Sequence, residues 1–509
     1  MEPNISQETI KINKEIFNQT IELPIELDYQ LPDYYTGIFK MLQFRSEPHI
    51  CSFRSSSNQF TIDGITVVKL IYIDEDAGNL KAIHQNIPFS KTLKLKSKIT
   101  KPCIFYEIKN NYSNCKIISS KKIEIKGSLT LNLKLFDQID QPILNNLNIE
   151  EIKKTGIHIK KQPINLTTEQ LWNNHQFKIS EQIAFEKPVK EILDVKINVI
   201  ENEHKTILNK IISKATAYIE VIYCSDDKKT TLTQKTSCPI NQILEMQGVN
   251  ENFICDLNYD ISTINTKTLQ EGKIIKIEAD GLINGYGSLT HSQELITDIF
   301  STKFKIAPSI QTFKTCNINE TIKENLSLNE TFDTTKFQNI IDLNSIITDL
   351  SSEVVKNKIN FNAKLTINAY GKASDETPEI FEKSIPISFS INKKLQNDSD
   401  NEKINAKITI LENTFQIDEN KNLNIKINFQ VNCTINYINK IKIINDVKIN
   451  ETEKIKKTST SMTLFYPEKN DDIWNIAKQF STCPKEIMEA NSMKSEIIKD
   501  EIMLIIPIV

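Results

Sequence analysis

Apolar and polar residues alternate over long stretches of this chain. Between residues 123 and 135, Leu129, Leu131, Leu133 and Leu135 are interleaved with Thr130, Asn132 and Lys134. A period of two puts one face of a strand on a core and the other in solvent, so the pattern predicts strands. Parallel strands covered on both faces would read as unbroken apolar runs, so the sheets are expected to be antiparallel.

The pattern recurs. Residues 65–90, 216–241 and 364–388 each run from an alternating strand ending in tyrosine, through a polar acidic turn, to a proline followed by an apolar residue. Tyr72 to Pro88, Tyr223 to Pro239 and Tyr370 to Pro386 are each 16 residues apart. A second alternating strand follows each proline, at 123–135, 274–284 and 423–435, where Ile125, Ile277 and Ile427 lie 152 and 150 residues apart. A repeat of this length implies homologous units, each burying its own core. The expected organisation is three tandem β-rich, sandwich-like domains at 1–155, 156–306 and 307–456, with a different module at 459–509. Connections are expected at about 141–168, 306–320 and 452–460, and a polar loop at 396–403.

The repeated tyrosines and prolines read as structural. A tyrosine at a strand end buries its ring and hydrogen-bonds its hydroxyl, and a proline at the start of a strand costs no ladder donor. Gly281, Gly285 and Gly287 read as a bend or bulge in a strand, because their spacing is the wrong order for a dinucleotide loop. Acid pairs such as Glu150-Glu151 and Asp226-Asp227 read as solvated turns.

From Ser461 the period changes. Asp471 or Asp472 can cap a helix carrying Ile473, Trp474, Ile476, Ala477 and Phe480 on one face. A second helix can start at Pro484 and run to about Asn491, and a strand from Met503 to Ile506 closes the segment. The module is therefore expected to be a small α+β unit of βααβ order, making the whole chain mainly β.

Composition narrows the chemistry. Eleven glycines in 509 residues, about 2% against a usual ~7%, leave few positions for phosphate loops or strained nucleophile turns. Arg45 and Arg54 are the only arginines among 62 cations, which disfavours base reading and bidentate phosphate clamps. Nine scattered cysteines include no CxxC pair, and the six histidines are equally dispersed, so neither a zinc site nor a disulfide framework is expected. The chain has no phosphate-binding GxxxxGK(S/T), no GxSxG nucleophile elbow and no HExxH zinc motif. The chain is expected to have no catalytic residues, no metal and no cofactor. It is also expected to have no leader or spanning segment and to bind no nucleic acid.

The last tenth of the chain resembles a LysM module, through Ile473, Trp474, Ile476, Ala477, Phe480, Ile487, Asn491, Leu504, Ile506 and Pro507. The resemblance implies a ligand-facing turn, here Asn470-Asp471-Asp472 where the family has Gly-Asp-Thr. With Ile473 and Asn491 these are the candidate partner- or glycan-binding residues, while Trp474 and Phe480 are core positions. Five lysines against eight carboxylates give the module net −3, an unfavourable charge for an anionic wall polymer.

The three repeats resemble the SPOCS (DUF3794) family, most clearly at Ile87-Pro88-Phe89. Three such domains followed by a LysM module is the layout of clostridial spore coat assembly proteins, which are related to an adaptor of bacilli. The resemblance implies a non-enzymatic scaffold in the mother-cell cytoplasm at the forespore surface. Its LysM-like end would contact the coat morphogenetic ATPase SpoIVA or another coat protein. Peptidoglycan binding through the same module is the alternative.

Overall fold

The computed structural model describes residues 5–507, apart from 57, 77, 97–98, 100–101, 148–153, 226–230, 334–335, 356–357, 374–377, 393–401, 456–461, 469–470 and 499–502. The pairs Glu150-Glu151 and Asp226-Asp227, Asn470 and most of the 396–403 loop lie outside the described residues.

Six strands form one unit, and the unit occurs three times. The first holds β1 (Ile5–Gln30), β2 (Ile38–Ser56), β3 (Gln59–Asp74), β4 (Leu80–Lys94), β5 (Pro102–Ser119) and β6 (Lys122–Leu147). The second holds β7 (Ile157–Ala184), β8 (Glu191–Ile207), β9 (Lys210–Cys224), β10 (Thr231–Glu245), β11 (Ile254–Leu269) and β12 (Ile274–Ser301). The third holds β13 (Phe304–Asp333), β14 (Phe337–Val355), β15 (Lys358–Ala373), β16 (Pro378–Asn392), β17 (Glu402–Ile417) and β18 (Asn422–Lys454). In each unit the first, sixth and fifth strands make one three-stranded sheet, and the second, third and fourth make the other. All pairs are antiparallel. The protein is thus mainly β.

The alternating strands supply the sandwich cores. Leu129, Leu131, Leu133 and Leu135 of β6 face Phe60, Ile62 and Leu70 of β3 in one buried cluster. Ile275 and Ile277 do the same in the second unit, and Ile425, Ile427 and Phe429 in the third.

The connections are shorter than expected. Residues 306–320 lie inside β13, 141–147 extend β6, and 157–168 belong to β7. Alternation is weak there because the long strands run past their own sandwich and pack against other units on both faces. The consecutive pairs Ile143-Leu144, Leu295-Ile296 and Ile443-Ile444 each send one residue into one inter-unit cluster and the next into a second. Burial on both faces erases period two.

The prolines also sit differently. Pro88, Pro239 and Pro386 lie in the middle of β4, β10 and β16, opposite Ile65, Thr216 and Lys364, and not at strand starts. These are edge strands, where a missing N–H forfeits no needed ladder bond. Tyr72 and Tyr223 are buried in their sandwich cores, and the Tyr72 hydroxyl donates to the Thr36 carbonyl at 3.5 Å.

The third tyrosine is one residue out of register. Inward positions of β15 are odd-numbered up to Ala369, so Gly371 takes the core position and Tyr370 faces the other way. Tyr370 joins Ile71 and Ile222 in a cluster shared by all three units. Gly371 is required at its site, since a Cβ would fall 2.0 Å from the Asn339 carbonyl oxygen. Gly281, opposite the bulge at Ile261/Thr263, is similarly confined by Asp260 O and the Phe177 ring.

Candidate functional site

The C-terminal module is built as a ribbon and two helices. β19 (Met462–Phe465) pairs antiparallel with β20 (Leu504–Pro507), with α1 (Ile473–Phe480) and α2 (Pro484–Ala490) between them. Ile473, Ile476, Ala477, Ile487, Leu504 and Ile506 are its buried centre. The Phe465 and Phe480 rings meet edge to face at 5.3 Å.

The five candidate contact residues do not form an open site. Asn470 lies outside the described residues. The Asp471 carboxylate accepts the Glu468 amide at 2.9 Å and its carbonyl accepts the Ile498 amide, which shapes the turn. Asp472 is the N-cap of α1: its carboxylate accepts the Trp474 amide at 3.0 Å. Ile473 is fully buried. The Asn491 amide is consumed internally, donating to Ile487 O and Ile505 O at 2.7 Å and accepting from Ile505 N at 2.8 Å. It ties the end of α2 to β20.

Three residues of the middle unit, none predicted from the sequence, hold this module. Lys160 pairs with the free oxygen of the Asp472 carboxylate. Asp298 accepts from Trp474 Nε1 at 2.8 Å and from Lys478 Nζ at 2.7 Å. The Phe300 ring meets the Trp474 ring edge to face at 4.9 Å. Burial pushes the Asp298 carboxyl up, but the bonds from Lys478 and Trp474 outweigh it and hold it below the usual carboxylate range. Register explains the choice of unit. Asp298 pairs with Lys160 across β12 and β7, while the corresponding pairs are Asn146 with Ser6 in the first unit and Asp446 with Ser309 in the third. Only the middle unit combines a cation and an anion at this position.

A second polar assembly lies where the units meet. Arg45 of β2 pairs with Asp194 of β8, which also takes Lys69 at 3.1 Å. Lys196 of β8 pairs with Asp342 of β14 at 2.8 Å. Burial pushes the Asp194 carboxyl up; Arg45, Lys69 and Lys196 together overcome that and keep it ionised far below its ordinary range. Arg45 and Lys196 occupy the same register position, opposite Lys69 and Glu220, and the third unit has Asn344 there, opposite Asn368. Asp194 and Asp342 likewise share a position with Gln43. The joint from the third unit to the first therefore has neutral residues where the others have an ion pair. Both amide atoms of Gln43 are buried there without a partner.

The seams carry further polar contacts. His49 lies 3.1 Å from Asp260 across the first and second units, and Lys323 of the third unit pairs with Glu201 of the second. Among the described residues no three His, Cys, Asp or Glu side chains are grouped to hold a metal. No helix among them is long and apolar enough to cross a membrane. This geometry holds domains together and presents a surface.

Residues 188–269 match the family model described as SipL, SPOCS domain. The match spans β8 to β11 of the middle unit, the unit that holds the C-terminal module. No curated protein and no solved structure matches the chain. With this match on a threefold β framework, the chain is a SPOCS-domain protein resembling SipL, a kinship that suggests a sporulation coat-related role.

Proposed function

We propose that the protein is a non-enzymatic adaptor in spore envelope assembly, linking the coat ATPase SpoIVA to the forespore surface through its C-terminal, LysM-like module. The observation that carries this reading is the SPOCS match. The docking of the module on the matched unit supports it, because a partner held by the module is then coupled to the β framework rather than to a loose tether. Its place of action would be the mother-cell cytoplasm at the forespore.

Peptidoglycan binding draws less support. Ile473 is buried, the Asn491 amide is spent on the module's own backbone, and Asp472 is held by Lys160. A groove for sugar hydroxyls needs free donors and acceptors.

The test is co-precipitation of the full chain with purified SpoIVA, beside sedimentation with purified peptidoglycan. Capture of SpoIVA without sedimentation is expected. Sedimentation that survives moderate salt, without capture, would replace the adaptor with a glycan-binding protein.

A further inference from the structure

The outer face of the β19–β20 ribbon is apolar throughout. Phe465, Leu504 and Ile506 point into the module. Met462, Leu464 and Tyr466 alternate with them and are 59%, 55% and 74% exposed. Across the ladder, Met462 stands opposite Pro507 and Leu464 opposite Ile505, while Met503 is 45% exposed. The solvent face of a ribbon ordinarily carries polar residues, and contiguous exposed apolar surface marks an interaction site.

Charge says what kind of occupant fits. Asp472 and Lys478 are paired with the middle unit. The module's other charges are seven carboxylates and four lysines, still net −3 in some 50 residues. A second copy would bring the same negative charge to the contact, and an anionic polymer or lipid surface would be repelled in the same way. A protein segment with apolar residues flanked by lysine or arginine matches both the apolar face and the module's net negative charge.

We infer that the outer face of the β19–β20 ribbon is the docking surface of the intact chain, and that it takes a cationic, apolar protein segment. This rests on the adaptor reading and relocates its contact. The capping turn at Asp471-Asp472 is spent on the helix start and on the middle unit, whereas Met462, Leu464 and Tyr466 of the ribbon stay exposed among the described residues.

The test uses the full chain, the soluble peptide Lys-Lys-Leu-Ile-Phe-Lys-Lys and its counterpart with glutamate for lysine, read by fluorescence anisotropy. The lysine peptide should bind and the glutamate peptide should not. The double variant Met462→Thr/Leu464→Thr should weaken binding by about tenfold or more, with an unchanged unfolding midpoint showing that the fold is intact. Tyr112→Thr, which removes an equally exposed aromatic from the first unit, should bind like the parent. Equal binding of both peptides, or undiminished binding by the double variant, overturns the inference. Co-precipitation with SpoIVA separates the two claims. If the parent and the double variant capture SpoIVA equally, the face is wrong and the adaptor stands. If the lysine peptide needs the ribbon but SpoIVA is not captured, the face stands and the adaptor reading falls.

Discussion

Two of the three joints between the β units are charged and the third is neutral. At the first, Asp194 receives Arg45 and Lys69; at the second, Asp342 receives Lys196. At the third, the same register positions hold Asn344 and Gln43, and the Gln43 amide has no partner. The backbone repeats with period three while the chemistry does not. A buried ion pair is weak evidence for net stability, but it sets which surfaces belong together. Two such pairs fix the order first-second-third, and all three units share the apolar packing around Leu42, Leu193 and Tyr370.

The sharpest way to break this comparison is at Asp194, which is fully buried. Asp194→Asn leaves Arg45 and Lys69 with only the Glu47 carboxylate, 3.9 Å from each, and removing one member of a buried pair costs roughly 3–5 kcal/mol. A large fall in the unfolding midpoint is expected. Asp342→Asn should cost less, about 1–2 kcal/mol, because Lys196 is 18% exposed and can turn toward water and Glu220. Equal losses from the two variants would mean that the joints do not differ in the way described.

Acid provides the same comparison without mutation. The Asp194 carboxyl is depressed in the folded chain, so its stabilisation is complete above the unfolded value of about 4. It is lost as pH falls through the lower folded value. Parent and Asp194→Asn midpoints should therefore converge as the pH drops below about 4, a range in which urea unfolding can be followed.

Restoring the missing pair sharpens the contrast. Gln43→Asp and Asn344→Lys should each be unfavourable alone, and together show a favourable coupling of about 1 kcal/mol in a double-mutant cycle. Zero coupling would show that the two positions do not face each other.

The smallest effect belongs to His49. Burial lowers its pKa, but the charge and hydrogen bond of Asp260 outweigh that and raise it above the ordinary value. A group raised on folding stabilises fully below its unfolded pKa of about 6.5 and loses that contribution as pH rises through the folded value. The parent should lose its advantage over His49→Gln as pH rises above about 6.5.

The residues also say how much of the molecule could be read in advance. The leucines of β6 announced their inward face because solvent covers the other side. The strand ends at Ile143-Leu144 did not, because a neighbouring unit covers what should have been the wet face. Tyr370 shows the limit of spacing as evidence: sixteen residues separate it from Pro386, as in the other units, yet a one-residue slip sends it to the inter-unit cluster and leaves Gly371 in the core. In the C-terminal module the helix starts and core followed from capping and periodicity. The docking by Lys160, Asp298 and Phe300 could not be foreseen, since no local pattern distinguishes a lysine that meets a distant helix cap from one in solvent. Arg45 was the nearest thing to a signal, one of two arginines in a lysine-rich chain.

Hydrogen exchange of the full chain, followed by mass spectrometry, tests the unequal joints most directly. The structure predicts slow exchange for β8 around Asp194 and β14 around Asp342, and faster exchange for the part of β2 around Gln43 and the adjoining part of β16. Protection at the third joint equal to or greater than that at the two charged joints would contradict it.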